Sequence, residues 1–268
     1  MIRTGTALSR FAARPAVLGL VGLVAFGAVL EVVPRIGLVP AAYAPPASRI
    51  AEALVAQVRR PEFWAALTDT LRTWLTGLAI AVVAGLVVGV AIGSVSVLRA
   101  ATASTIEFLR PIPSVALIPL AVLLYGTGMR ATLLLVVYAA FWQVLVQVLH
   151  GVADVDPVAR DTARSYGLGR LAQIRFLVWP TALPYTITGV RLATSVALVL
   201  AVTGELVIGT PGLGREIAIA QTSNAVPAMY ALVVVTGLLG VTANLLARTA
   251  ERRVLAWHPA VRSEAVTP

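Results

Sequence analysis

Apolar residues in this chain come in long blocks. Val17 to Val33 is nearly unbroken. Comparable runs occupy about Thr70 to Val95, Ser114 to Tyr125, Ala131 to Leu149, Pro184 to Ile208 and Ala228 to Ala247. Most hold roughly 18–25 residues, the length a helix needs to cross a bilayer core of about 30 Å. The run from Ser114 is shorter and carries Pro119 inside it. Only helices and closed barrels satisfy their backbone in lipid. The pattern therefore predicts an all-α, polytopic membrane protein with six transmembrane helices.

Segments between the blocks have their own periods. Ile50, Leu54, Val55 and Val58 recur at helical spacing with charges between them, which predicts a short surface helix over Ser48 to Val58. Gly85, Gly89 and Gly93 are spaced by four in the second run; they form either a stripe for close helix packing or a bias of composition. Residues 96–113 carry Arg99, Glu107 and Arg110 and end in Arg110-Pro-Ile-Pro-Ser114, where prolines stop one helix and start another. Gly126 to Arg130 reads as a tight turn and residues 209–225 as a loop. A signal peptide is the rival for the first run, since Ala42-Tyr43-Ala44 resembles a cleavage tripeptide. That site lies far beyond the run and is followed by Pro45 and Pro46, so an uncleaved first helix is expected.

Composition narrows the chemistry. Only 12% of residues are charged, against about 25% in soluble domains. There is no cysteine, which excludes disulfides and thiolate chemistry. His150 and His258 are far apart and have no ligand neighbours at helical spacing, so no metal site is expected. All 21 basic residues are arginine. Without lysine, a P-loop ATPase and Schiff-base catalysis are both excluded. The net charge of +9 could suggest nucleic acid, but the arginines gather at the ends of apolar runs, as positive-inside proteins arrange them. With six spans and a cytoplasmic N-terminus, Arg3, Arg10, Arg14, Arg99, Arg110, Arg160, Arg164, Arg170, Arg175, Arg248, Arg252, Arg253 and Arg262 fall inside. Arg35, Arg49, Arg59, Arg60, Arg130 and Arg215 fall outside. Both termini are expected in the cytoplasm, as tails over 1–16 and 258–268 flanking a membrane domain over 17–257.

One polar segment interrupts this pattern. Residues 153–184 hold four arginines and three aspartates between two apolar runs. Asp156 is a good N-cap and Pro157 suits the first helical position. Val158 to Tyr166 can be helical, and Gly167 sits where a C-cap glycine belongs. About 10 residues make a helix of roughly 15 Å, too short to cross a membrane. A second amphipathic turn, Leu171 to Val178, is expected to end at Trp179-Pro180. A solvated loop needs no such capped helix, so a docking element is expected; a helix lying on the membrane surface is the alternative.

Asp161-Thr162-Ala163, then Gly167, then Leu177-Val178-Trp179-Pro180 keep every spacing of the EAA loop of ABC importer permeases. The segment resembles that loop, with Asp for Glu, Thr for Ala, Leu for Ile and Trp for Leu. Phe108-Leu-Arg-Pro-Ile-Pro-Ser114, Ala116-Leu-Ile-Pro119, the turn at Gly126, Gly204-Glu205 and Pro211-Gly-Leu-Gly214 resemble the nitrate/sulfonate/taurine-type subfamily. The resemblance covers most of residues 65–257, with the coupling loop at 150–183.

The resemblance implies a type I ABC importer permease fold in the cell membrane of a prokaryote. It implies a non-enzymatic subunit without cofactor or metal, forming a homodimer. Its partners would be cytoplasmic ATPase subunits and an extracytoplasmic solute-binding protein, and the solute a small sulfonate, taurine, nitrate or related compound. Val158, Arg160, Asp161, Thr162, Ala163, Arg164, Tyr166, Gly167, Leu168 and Pro180 would couple to the ATPase. Trp142, Gln143, Thr194, Ser195, Thr203 and Glu205 are the candidates for the translocation path, since polar groups inside a membrane are costly and mark function. Glu205 could instead cap residues 209–214, and the hydroxyls could bond their own helix. Arg191, about 21 Å from Glu205 along a helix, would snorkel inward or meet the opposite copy. A stand-alone secondary transporter or channel is the alternative function. A membrane enzyme is disfavoured, because no span embeds a histidine, lysine or cysteine.

Overall fold

The computed structural model describes residues 15–40 and 42–256. The expectations for Arg3, Arg10, Arg14, His258 and Arg262, and for most of both tails, lie outside the described residues. Within them the chain is helical: α1 (Pro15–Arg35), α2 (Ala47–Val58), α3 (Pro61–Ser94), α4 (Ser96–Leu109), a 3-10 turn (Ser114–Leu117), α5 (Ile118–Tyr125), α6 (Met129–Ala153), α7 (Pro157–Ser165), α8 (Arg170–Gln173), a π turn (Ile174–Val178), α9 (Trp179–Ile208), α10 (Leu213–Thr222) and α11 (Val226–Val254). Five helical segments are long and apolar enough to span a bilayer: α1, α3, α6, the run from Arg170 to Ile208, and α11. The third expected span, Ser114 to Tyr125, does not stand alone as a crossing, and residues 96–109, expected in an inner segment, join it. The combined crossing consists of α4 and Ser114–Tyr125, bent by 84°.

The glycine stripe shows why the bent pair is a span. Gly77, Gly85, Gly89 and Gly93 of α3 lie against Val136, Val144, Val148 and Val152 of α6. A Cβ on Gly89 would fall 2.7 Å from Val148 Cγ1, so the backbones meet only because these residues are small. The contacts advance together along both helices, so α3 and α6 run parallel. Residues 95–128 must then carry the chain back to the opposite end of the bundle. A re-entrant loop would return it to the same end, so α4 and α5 together form one broken crossing. The break is sealed by Tyr138, whose hydroxyl donates to the Leu109 carbonyl at 2.6 Å. Backbone at membrane depth needs such a partner.

The α9 helix packs antiparallel on α6: Gly151 meets Ala182 at one end and Gly204 meets Thr132 at the other. The α11 helix in turn runs antiparallel to α9, joined by the Arg191–Glu251 ion pair at 3.1 Å. That pair replaces the expected snorkelling of Arg191. Ser48 at the start of α2 bonds Glu31 near the end of α1, and Tyr230 of α11 bonds the Tyr43 carbonyl. One end of the bundle thus collects the end of α1, α2, α10 and the start of α11. The other collects the ends of α3, α6 and α11 with α7 and α8.

Two further expectations are corrected. Residues 209–225 are not simply a loop, because they contain α10. Its Leu213, Ile217 and Ala220 pack with Phe63 and Leu232 in a second small core, so tertiary burial supports a helix that a ten-residue polar-looking stretch hides. The helix entering the fifth span does not end at Trp179-Pro180. The π turn lets the Trp179 N–H reach the Ile174 carbonyl, and its wider turn makes room for the Pro180 ring within one continuous helical run.

Candidate functional site

The charged segment forms a capped helix at the bundle end. Asp156 Oδ1 accepts from the Val158 N–H at 2.8 Å, and Pro157 opens the first turn. At the other end Gly167 is left-handed, with φ +74°. Its N–H donates to the Arg164 carbonyl at 2.9 Å, and the Leu168 N–H donates to Ala163 at 3.0 Å. These are the two bonds of a Schellman cap. Both termini of α7 are therefore satisfied within the segment itself.

The faces of α7 differ. Arg160, Ala163 and Leu168 are half-buried toward the bundle, and Arg160 reaches the Val152 carbonyl at 3.4 Å. Asp161, Thr162 and Arg164 are exposed, with Asp161 and Arg164 paired at 3.3 Å in solvent. Such a pair contributes little stability. Val158 and Tyr166 are 71% and 81% exposed, and Leu171 and Phe176 carry the exposed apolar surface onward. Pro180 is half-buried in the first turn of α9.

The six residues expected on a polar path do not converge. Ser195 and Thr203 line an open groove of about 720 Å³ between α9 and α11, with Arg191, Asn244 and Arg248. Thr194 is buried; its hydroxyl bonds the Val190 carbonyl at 2.7 Å, and its own carbonyl accepts from Trp74 at 3.0 Å. Trp142 stacks edge-on with Tyr138 and Phe141 and leaves its indole N–H unpartnered among the described residues. Gln143 is half-buried where Gly189 crosses α6.

Glu205 is fully enclosed. Its Oε2 accepts from Thr70 Oγ1 at 2.9 Å and from the Gly214 N–H at 3.0 Å. Thr70 Oγ1 in turn accepts from the Leu213 N–H at 2.9 Å. The carboxylate thus holds the first turn of α10 against α3, which is the capping arrangement. Its other oxygen has no partner among the described residues. Thr70, more than a hundred residues away, had no local signal. Arg110 was assigned to an inner segment, yet it follows Leu109 directly, at the depth of Tyr138 in mid-α6. Its exposed side chain sits where the broken crossing turns.

Residues 77–256 match the model of a family described as the binding-protein-dependent transport system inner membrane component. The chain belongs to this family. It is 30% identical over 230 residues to the taurine transport system permease protein of Escherichia coli K12, covering 84% of each chain. It is 26% identical to the bicarbonate transport system permease protein of Synechococcus elongatus PCC 7942, over 72% of this chain and 69% of that one. Among solved structures, a chain of the MetNI methionine ABC transporter in an inward-facing conformation aligns with a TM-score of 0.62 at 19% identity. That alignment covers 73% of this chain and 98% of the other.

The fold is therefore that of a type I ABC importer permease, and the protein is a transport permease of a membrane-embedded importer. The broken crossing, the capped α7, α6, α9 and α3 from Gly77 onward lie in the matched region. No cluster of three metal-binding side chains occurs among the described residues.

Proposed function

We propose that this permease forms a solute path together with a second copy of itself, and that α7 is the element on which a cytoplasmic ATPase subunit docks. One observation carries the docking assignment. A helix outside the spanning segments is capped at both ends and presents Val158 and Tyr166 to solvent beside charged neighbours. Exposed apolar groups on a rigid, polar-rimmed element suit a partner surface. The π turn and α9 continue directly from α8, so movement imposed on this loop is transmitted into a core helix.

The solute is a small sulfonate or a related small anion, delivered by an extracytoplasmic binding protein. The names of the taurine and bicarbonate permeases support this class. Ser195 and Thr203 of the α9–α11 groove, with Trp142 and Gln143, supply polar groups to the path. Arg110 adds a cation at mid-depth, where an unpaired charge requires water or a counterion. Thr194 and Glu205 shape the path by holding α9, α3 and α10 in place. Both termini and α7 face the cytoplasm.

Replacing Gly167 with valine tests the docking assignment. A β-branched residue resists the left-handed backbone by about 1–3 kcal/mol, and no neighbour obstructs a side chain there. The Gly167→Val permease is expected to insert normally yet fail to co-purify with its ATPase. Unchanged co-purification would show that docking lies elsewhere.

A further inference from the structure

A second cavity lies at the α7 end of the bundle, behind the proposed docking helix. It is a half-open hollow of about 660 Å³ between the junction of α3 and α4 and the α7–α8 segment. Arg160, Arg164 and Arg170 line it on the loop side. Val90, Ala91 and Leu98 line it on the spanning side. Among the described residues Arg164 has only the solvent-exposed Asp161 as an ionic partner. Arg160 and Arg170 have no carboxylate within ion-pair distance among the described residues. Like charges held around one hollow repel unless an anion sits between them.

We propose that this pocket holds the phosphate of an anionic glycerophospholipid, with its acyl chains lying along Val90 and Ala91 of α3. Two observations and one general precedent favour a lipid over a free anion. The cations lie on the loop side alone, and no charged residue lines the spanning side, where apolar Val90, Ala91, Val95 and Leu98 stand with Ser94 and Ser96. Val90, Ala91 and Leu98 belong to helices of the spanning bundle, so the apolar wall continues toward the bilayer. Basic pockets between membrane helices on the cytoplasmic side are established headgroup sites. A guanidinium also fits phosphate bidentately. The single negative charge of the bound phosphodiester would lower the repulsion among the arginines and brace α7 against the junction of α3 and α4. Lipid charge would then influence how the docking helix is held. The site follows from the cavity and its charge and stands whether or not α7 is the docking element.

Native mass spectrometry of the detergent-purified transporter, supplied with phosphatidylglycerol or phosphatidylethanolamine of matched chains, tests this. The wild-type assembly is expected to retain phosphatidylglycerol preferentially. Near a surface each arginine contributes roughly fivefold in affinity, so an Arg160→Gln/Arg164→Gln/Arg170→Gln variant should bind on the order of a hundredfold more weakly. An Arg248→Gln/Arg252→Gln/Arg253→Gln variant removes equal charge from the same end and should retain the lipid. Should the first triple variant fail to fold, Arg170→Gln alone, which leaves α7 intact, should still show about a fivefold loss. Equal retention of both lipids, or equal loss in both triple variants, would overturn the proposal. Displacement by millimolar sn-glycerol 3-phosphate as effectively as by intact lipid would assign the pocket to a free phosphate ester instead. Lipid retention only after removal of the ATPase would assign the arginines to that protein. Either outcome rejects a lipid site.

Discussion

Glu205 shows how a single residue can be legible in type and illegible in role. Its position in an apolar run marks it as important. Only its partners show that it acts as a clasp: Oε2 gathers Thr70 and the Gly214 N–H, and Thr70 passes a bond on to Leu213. Gly212 presses so closely on this carboxylate that a Cβ there would overlap it, and a Cβ on Gly214 would overlap the Val202 carbonyl and Glu205 Cβ. Glu205→Ala would leave the Gly214 N–H and the Thr70 hydroxyl without an acceptor and open a void. That combination should cost about 2–4 kcal/mol. Glu205→Gln keeps a carbonyl for both donors and should cost clearly less. Thermal midpoints in detergent should rank wild type above Gln and Gln above Ala. A ranking with Ala equal to wild type would remove the clasp.

Among the elements, the α3–α6 seam decides the architecture. The repeat of Gly85, Gly89 and Gly93 is visible in the chain, but composition bias would produce the same letters. The valines of α6 that fill the stripe resolve the question. Gly89→Ala forces the Val148 side chain to yield and should destabilise by roughly 1–3 kcal/mol. Adding Val148→Ala should restore part of the loss. Gly89→Leu should prevent the seam from closing, and monodisperse protein on size-exclusion chromatography should be lost. The broken crossing shows the reverse case. Its prolines announce an interruption, whereas its status as a crossing rests on the parallel run of α3 and α6.

For the whole molecule, the bundle places the end of α11 and α7 at one end, and α2 and α10 at the other. The absence of cysteine makes single-cysteine labelling clean. Arg164→Cys and Arg253→Cys should react only with reagents reaching the cytoplasmic face. Tyr43→Cys and Asn224→Cys should react from the outside of intact cells. Outside labelling of the first pair would reverse the proposed orientation. Opposite sidedness within either pair would break the shared-end geometry.

Taken alone, the sequence determined the class: helical, membrane-spanning, without a lysine for a P-loop, and with a capped polar helix between two crossings. Those features depend on composition, period and cap residues, which act within a few turns of one helix. The tertiary structure decided everything that requires two distant segments to meet. It decided that α4 and α5 share one crossing, that α10 is a helix, that Arg191 pairs with Glu251, and that Glu205 closes on Thr70. No local preference encodes such partners, because a buried carboxylate or a bare glycine face takes its role from whatever the fold packs against it.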